Sequence, residues 1–201
     1  MSWLDGGPRS FGRGPALGLL ELSSIARGVV VADAALKRAP AVLVSSRTLS
    51  GGKHLVVLEG DVASVEEAMA AGAAAAGQKL VDRVELAMAD DQVWPMLVSG
   101  GVVDGSGWAD DDDAEAVVIV EVATVCAAIA AADAAVKAAE VTVRDVKLAV
   151  DLAGKAVFTF TGSLDAAQAS AEAAQAAADQ RLVGLELIAQ PAPELRGQLF
   201  R

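Results

Sequence analysis

A chain of 201 residues is long enough for one large domain or two small ones, and 54% hydrophobic residues with only 3% aromatic means a core built from Ala, Val and Leu. A formal net charge of −11 with no cluster of Lys and Arg excludes nucleic-acid binding and disfavours anionic membranes, since both need concentrated positive charge. No apolar run reaches the length needed to span a bilayer, and the single cysteine, Cys126, can form no intrachain disulfide.

Residues 1–15 contain Gly, Pro and Arg without the apolar centre of a secretion signal, so they read as a flexible arm on a cytoplasmic chain. A short apolar strand opens at Ala16. An Ala-rich helix follows from Ile25 to Arg38, its apolar positions recurring at helical spacing. Ala41–Leu49 and Lys53–Leu58 are β-rich and joined by a glycine-containing turn, which predicts a hairpin. A second Ala-rich helix begins after Asp61, with Ser64 as a candidate N-cap, and a strand over Arg83–Met88 closes the unit.

Residues 99–114 are rich in Gly and Asp and read as a linker. Asp110 to Asp113 lack the alternating ligand spacing and closing Glu of an EF-hand loop, so a solvated acidic run is expected there and not a calcium site. The pattern then begins again. A strand at Ala116 leads to a helix over Thr124–Ala139, then to β-rich segments Val141–Val150 and Lys155–Thr161. A helix after Ser163, with Asp165 as candidate N-cap, and a strand over Leu185–Ala189 complete it.

The two halves match residue by residue. Ala16-Leu17-Gly18-Leu19-Leu20-Glu21 recurs as Ala116-Val117-Val118-Ile119-Val120-Glu121, and Ala32-Asp33-Ala34-Ala35-Leu36-Lys37 as Ala132-Asp133-Ala134-Ala135-Val136-Lys137. After a two-residue lengthening in the second copy, Gly52-Lys53 matches Gly154-Lys155 and Leu80-Val81 matches Leu182-Val183. The order β-α-β-β-α-β in each copy is that of a split βαβ, or ferredoxin-like, unit. The expected fold class is therefore α+β: two tandem domains, 16–98 and 115–201, each an antiparallel sheet with its helices on one face and its other face left for a partner.

The twice-repeated segment from the first strand to Lys37 or Lys137 resembles the opening of bacterial microcompartment shell domains. In tandem form it resembles the trimeric shell proteins, in which three two-domain chains make a pseudohexagonal plate. The resemblance covers about residues 16–200 and implies a structural role in the shell, within the bacterial cytoplasm. Its implied partners are two further copies of the chain, hexameric and pentameric shell tiles, and small metabolites that pass through a central pore.

Under the same resemblance, Lys37 and Lys137 lie at tile edges against neighbouring plates; read alone, each is the basic end of an i,i+4 pair with Asp33 or Asp133. The family often carries an Arg near the end of the last strand, where this chain has Met88-Ala89-Asp90 and Ile188-Ala189-Gln190-Pro191. The hairpin turns correspond to the loops that line the family's pore, which makes Ser50, Gly51, Gly52, Asp151, Leu152, Ala153 and Gly154 candidate pore residues. Glycine suits such crowding around an axis, and it equally suits an ordinary tight turn. Asp151, repeated three times, would form a carboxylate ring favouring cations.

Some relatives hold an iron–sulfur cluster through a cysteine in the first of these turns. Ser50 stands there in this chain, Cys126 matches no pore position, and no cofactor is expected. His54, the single histidine, has no companions that would complete a metal site, so no metal is expected either. Without a nucleophile and base, a metal cluster or a phosphate loop, an enzyme is not expected. The competing class is a small-molecule-binding or regulatory ferredoxin-like protein, with Glu21 and Glu121 near strand ends as its ligand contacts.

Overall fold

The strand β1 (Ala16–Leu22) is buried along its whole length, including Glu21, because both of its faces are covered. The computed structural model describes residues 14–98, the backbone of 102–103, and residues 114–195. Most of the N-terminal arm and the run Asp110–Asp113 lie outside the described residues. In the first half, β1 is followed by α1 (Ile25–Arg38), β2 (Val42–Leu49), β3 (Lys53–Gly60), α2 (Val62–Ala76) and β4 (Leu80–Leu86). The four strands form an antiparallel sheet in the order β2-β3-β1-β4.

A short helix α3 (Val93–Val98) and strand β5 (Val102–Val103) lead to the second half. There β6 (Ala116–Val122), α4 (Val125–Ala138), β7 (Val141–Leu148), β8 (Ala156–Gly162), α5 (Leu164–Ala178) and β9 (Leu182–Ala189) repeat the topology. Within the stretch that composition reads as linker, Val102 and Val103 pair with Lys147 and Val146, adding a strand to the edge of the second sheet. Ahead of it, Gln92 continues along the same edge: its side-chain amide donates to Val141 O at 3.0 Å and its carbonyl accepts Val143 N at 2.9 Å.

Helix starts differ from expectation at both second helices. Asp61 and Ser163 are the N-caps, accepting Ser64 N at 2.9 Å and Ala166 N at 3.3 Å, while Ser64 and Asp165 lie inside the first turn. The reason is local: the residue that turns the chain out of the strand is itself a short polar acceptor, so it caps at once. The last strands also begin earlier than Arg83 and Leu185, at Leu80 and Leu182. β7 ends at Leu148 rather than Val150, because Ala149 takes a left-handed φ of 56° and leaves the sheet.

Helix and sheet pack so closely that side-chain size is traded between positions, and the duplication displays the trade twice. A Cβ on Gly18 would lie 2.7 Å from Met69, and one on Gly72 would lie 2.5 Å from Leu20. In the second half the matching positions are Val118 with Ala171, and Ala174 with Val120. Each layer thus keeps its thickness with the bulk moved across the interface, as close packing requires.

The uncovered face of the first sheet meets the second half. Leu17, Leu19, Leu55 and Val57 point away from α1 and α2 and join one apolar cluster with Val125, Cys126 and Ile129 of α4 and with Trp94 and Met96 of α3. The opposite face of the same sheet, with Leu20, Leu22, Val56 and Leu58, forms a separate cluster under its own helices.

Candidate functional site

The hairpin turns are a sequence repeat that becomes a spatial neighbour. Ser50 N donates to Ala149 O at 2.9 Å, and Gly154 N donates to Ser50 Oγ at 2.9 Å, so the turns of the two halves are bonded together. Gly51 has φ 77°, and a Cβ there would stand 3.0 Å from Ala153 O. Glycine at this point therefore serves both backbone conformation and close approach.

The second turn is more contorted than its single glycine implies. Ala149, Asp151, Ala153 and Gly154 all have positive φ, at 56°, 57°, 50° and 89°. Each alanine in that region costs about 1 kcal/mol relative to an ordinary conformation. Asp151 and Ala153 are exposed, Leu152 is partly exposed, and Gly154 is buried against the side chain of Lys53. Gly51 and Gly52 are exposed and Ser50 is partly exposed. Ser50, Gly51, Ala153 and Gly154 thus meet where the two turns touch, and Gly52, Asp151 and Leu152 belong to the same two turns.

Beneath the turns lies a polar clamp that joins the halves. Lys53 Nζ donates to Glu21 Oε1 at 2.8 Å, to Gly154 O at 3.1 Å and to Ala123 O at 3.2 Å. The other oxygen of Glu21 accepts the amide of Val125, in the first turn of α4, at 2.7 Å. A carboxylate at a helix N-terminus is stabilised by the unpaired amides there. Burial nevertheless pushes the Glu21 carboxyl above its ordinary value, with Lys53 and the Val125 amide opposing that shift. Alongside, Thr124 caps α4 and donates from its hydroxyl to Asp82 at 2.5 Å, and Arg181 donates to Val81 O at 2.8 Å.

Glu121 and Lys155 reproduce the ion pair of Glu21 and Lys53 at 2.8 Å, but at a half-exposed position where, among the described residues, no helix start meets the carboxylate. The two glutamates that sequence offers as ligand contacts are therefore one engaged seam and one similar site without its second element. A cleft of about 520 Å³ lies along the engaged seam, bounded by Asp82, Val84, Cys126, Ala127, Ala130 and Arg181 among others.

Cys126 is buried, with burial pushing its thiol well above the ordinary value, and its sulfur faces Leu19 O at 3.8 Å. His54 is buried between β2 and α1, its Nε2 sharing a hydrogen bond of 2.8 Å with Ser46 Oγ. Burial holds its imidazole below the usual value. Among the described residues no group of three His, Cys, Asp or Glu is gathered as a metal site. No helix among them is long and apolar enough to cross a membrane.

The candidate edge lysines are not equivalent. Lys37 bonds Asp33 at 2.7 Å on an open surface. Lys137 bonds a nearly buried Asp133 at 2.6 Å and also donates to Met88 O, while Asp133 accepts Asp90 N at 2.8 Å. The end of the first half is thereby strapped to α4. Sequence reading did not find this strap, since Met88 and Asp90 carry it through main-chain atoms that no residue type marks.

Comparison with known proteins agrees with the duplicated geometry. The BMC domain model matches residues 16–89 and again 116–191. The chain is 39% identical to the bacterial microcompartment shell protein PduT of Citrobacter freundii over 149 residues, which is 74% of this chain and 77% of that one. It is 40% identical to the bacterial microcompartment shell protein EutK of Escherichia coli over 88 residues, covering 42% of this chain and 52% of EutK. Among solved structures, a microcompartments protein from Desulfitobacterium hafniense DCB superposes with a TM-score of 0.72 at 29% identity, over 90% of this chain and 97% of that one. With both halves matched and the split βαβ topology present twice, the chain belongs to the BMC-domain family as a tandem two-domain member.

Proposed function

We propose that the chain is a structural shell protein of a bacterial microcompartment, three copies of which close into a pseudohexagonal tile. The observation that carries this reading is the seam between the halves. Helix α4 lies on the open face of the first sheet, yet the matching residues of α1 are uncovered among the described residues: Ile25, Val29 and Val30 are 43%, 58% and 48% exposed. The open face of the second sheet, around Ile119, Glu121 and Ile188, correspondingly lacks a covering helix among the described residues.

An unfilled helix and an unfilled sheet face on one chain are complementary, because the chain already contains their filled counterparts. Repeating the internal step between copies sets α1 of one chain on the second sheet of the next, a head-to-tail contact of the kind that generates closed rings. Three chains then provide three internal and three external seams. The paired turns at 49–53 and 149–155 gather around the axis, and a ring of Asp151 carboxylates favours cations over anions at the opening. The edges, including Lys37, face neighbouring tiles in the bacterial cytoplasm, where the shell is built.

Native mass spectrometry and electron microscopy of the purified chain test the reading. A mass of three chains, together with hexagonal plates or sheets, is expected. A monomer at micromolar concentration would refute it. For the opening, an Asp151→Asn variant in assembled shells should pass anionic metabolites faster, and unchanged passage would remove Asp151 from the pore. The regulatory, small-molecule-binding alternative has less support, because Glu21 is fully engaged by Lys53 and Val125.

A further inference from the structure

The internal seam is a template against which each residue of the external one can be read, and the two differ in charge at one place. Along the cleft of the internal seam, Ala127 and Ala130 of α4 and Val84 of β4 are lining residues, and Ala127 and Val84 belong to one apolar cluster. The matching residues of α1 are Arg27 and Val30, and the residue of β9 that matches Val84 is Glu186. The correspondence is fixed by register: Leu19 pairs with Val84 in the first sheet, and Ile119 pairs with Glu186 in the second. Both Arg27 and Glu186 are exposed in the single chain.

We propose that Arg27 of one copy pairs with Glu186 of the next and helps seat α1 on the second sheet. The inference rests on the trimer reading above. Two helices and two sheet faces of similar shape allow four combinations, of which the chain already uses α4 on the first sheet. α4 on the second sheet would set Ala127 rather than a cation opposite Glu186. α1 on the first sheet would force the Arg27 guanidinium against Val84. α1 on the second sheet sets opposite charges directly across from each other at this position, whereas the internal seam has Ala127 and Val84 there.

A second difference points the same way. Asp82, which takes the Thr124 hydroxyl across the internal seam, is replaced by Gly184 in the second sheet, and Arg181 is replaced by Lys79 in the first half. The external seam therefore lacks that polar network. Its orientation falls more heavily on Arg27 and Glu186, together with the Glu121–Lys155 pair.

Charge exchange tests the pair. Arg27→Glu and Glu186→Arg, each made alone in the full chain, should weaken trimer formation by about tenfold or more in native mass spectrometry and sedimentation. The double variant Arg27→Glu with Glu186→Arg should recover most of it. Circular dichroism of all three should match the parent, since both positions are exposed. Single variants that assemble like the parent, or a double variant no better than either single one, would overturn the pairing while leaving the trimer intact. A parent chain that forms no trimer would instead remove the assembly itself.

Discussion

Glu21 accepts the backbone amide of Val125, 104 residues further along the chain, at 2.7 Å, while its other oxygen holds Lys53. Removing this carboxylate leaves a largely buried ammonium without its counter-charge and an amide of α4 without its acceptor. Glu21→Ala should therefore cost the chain about 3–5 kcal/mol, the scale on which broken buried ion pairs destabilise. Glu121→Ala removes the same chemistry from a half-exposed site and should cost the isolated chain only about 0–1 kcal/mol. Its larger effect should appear in assembly, where the proposed seam would bring the amide of Ile25 from the next copy to Glu121. Urea unfolding and native mass spectrometry of the two variants separate the outcomes; equal loss of chain stability in both would contradict the assignment.

Size compensation at α1 makes a second prediction. A Cβ on Gly28 would lie 2.2 Å from His54 Cδ2, whereas the second half has Ala128 and Ala156 at the matching positions. Gly28→Ala should destabilise by about 1–3 kcal/mol through overpacking. Adding His54→Ala installs the combination that the other half already uses, so the double variant should be more stable than Gly28→Ala alone. Thermal unfolding of the two single variants and the double variant measures the coupling, and simple additivity would show that the histidine ring moves aside freely.

A third prediction concerns an acid left without a partner. Glu59, on β3, is buried, neither of its carboxyl oxygens has a hydrogen bond among the described residues, and burial pushes its ionisation above the ordinary 4.5. A raised folded-state value means the folded chain holds the proton more tightly than the unfolded one. Stability from this residue is greatest below about pH 4.5 and falls as pH rises through the folded-state value. Glu59→Gln should then stabilise the protein at pH 7 by about 1–3 kcal/mol, with the gain shrinking at pH 4. A gain of the same size at both pH values would assign it to something other than ionisation.

Much of this architecture is legible in the sequence, and what is not has identifiable causes. The repeat reveals two domains because residues such as Asp33 and Asp133 keep their spacing to Lys37 and Lys137, and α1 runs from Ile25 to Arg38 as helical periodicity predicts. The short helix over Val93–Val98 escapes such reading because six residues show no period, and its role comes from Trp94 entering the core between the halves. The left-handed Ala149 and Ala153 are invisible because alanine carries no signal for that conformation; the bonds from Ser50 and its neighbours hold the turn in shape. Which sheet face α4 covers is a tertiary choice, written in the difference between Val125 and Ile129 buried and Ile25 and Val29 exposed.

The two candidate edge lysines carry the last prediction. Both sit in the last turn of their helices, and alanine at both together should abolish extended sheets while trimers persist. Taken singly they should diverge. Among the described residues Lys37 bonds Asp33, at an open surface, so Lys37→Ala should leave the unfolding midpoint unchanged and act on sheets alone. Lys137 neutralises a nearly buried Asp133 and holds Met88 O, so Lys137→Ala should also cost about 1–3 kcal/mol by uncovering that carboxylate and loosening the strap to the first half. Asp133→Asn combined with Lys137→Ala should restore most of this stability, because the amide can still accept Asp90 N without carrying charge, yet it should not restore sheets. Sheets recovered along with stability would mean that Lys137 acts by folding its own chain and has no contact at the tile edge.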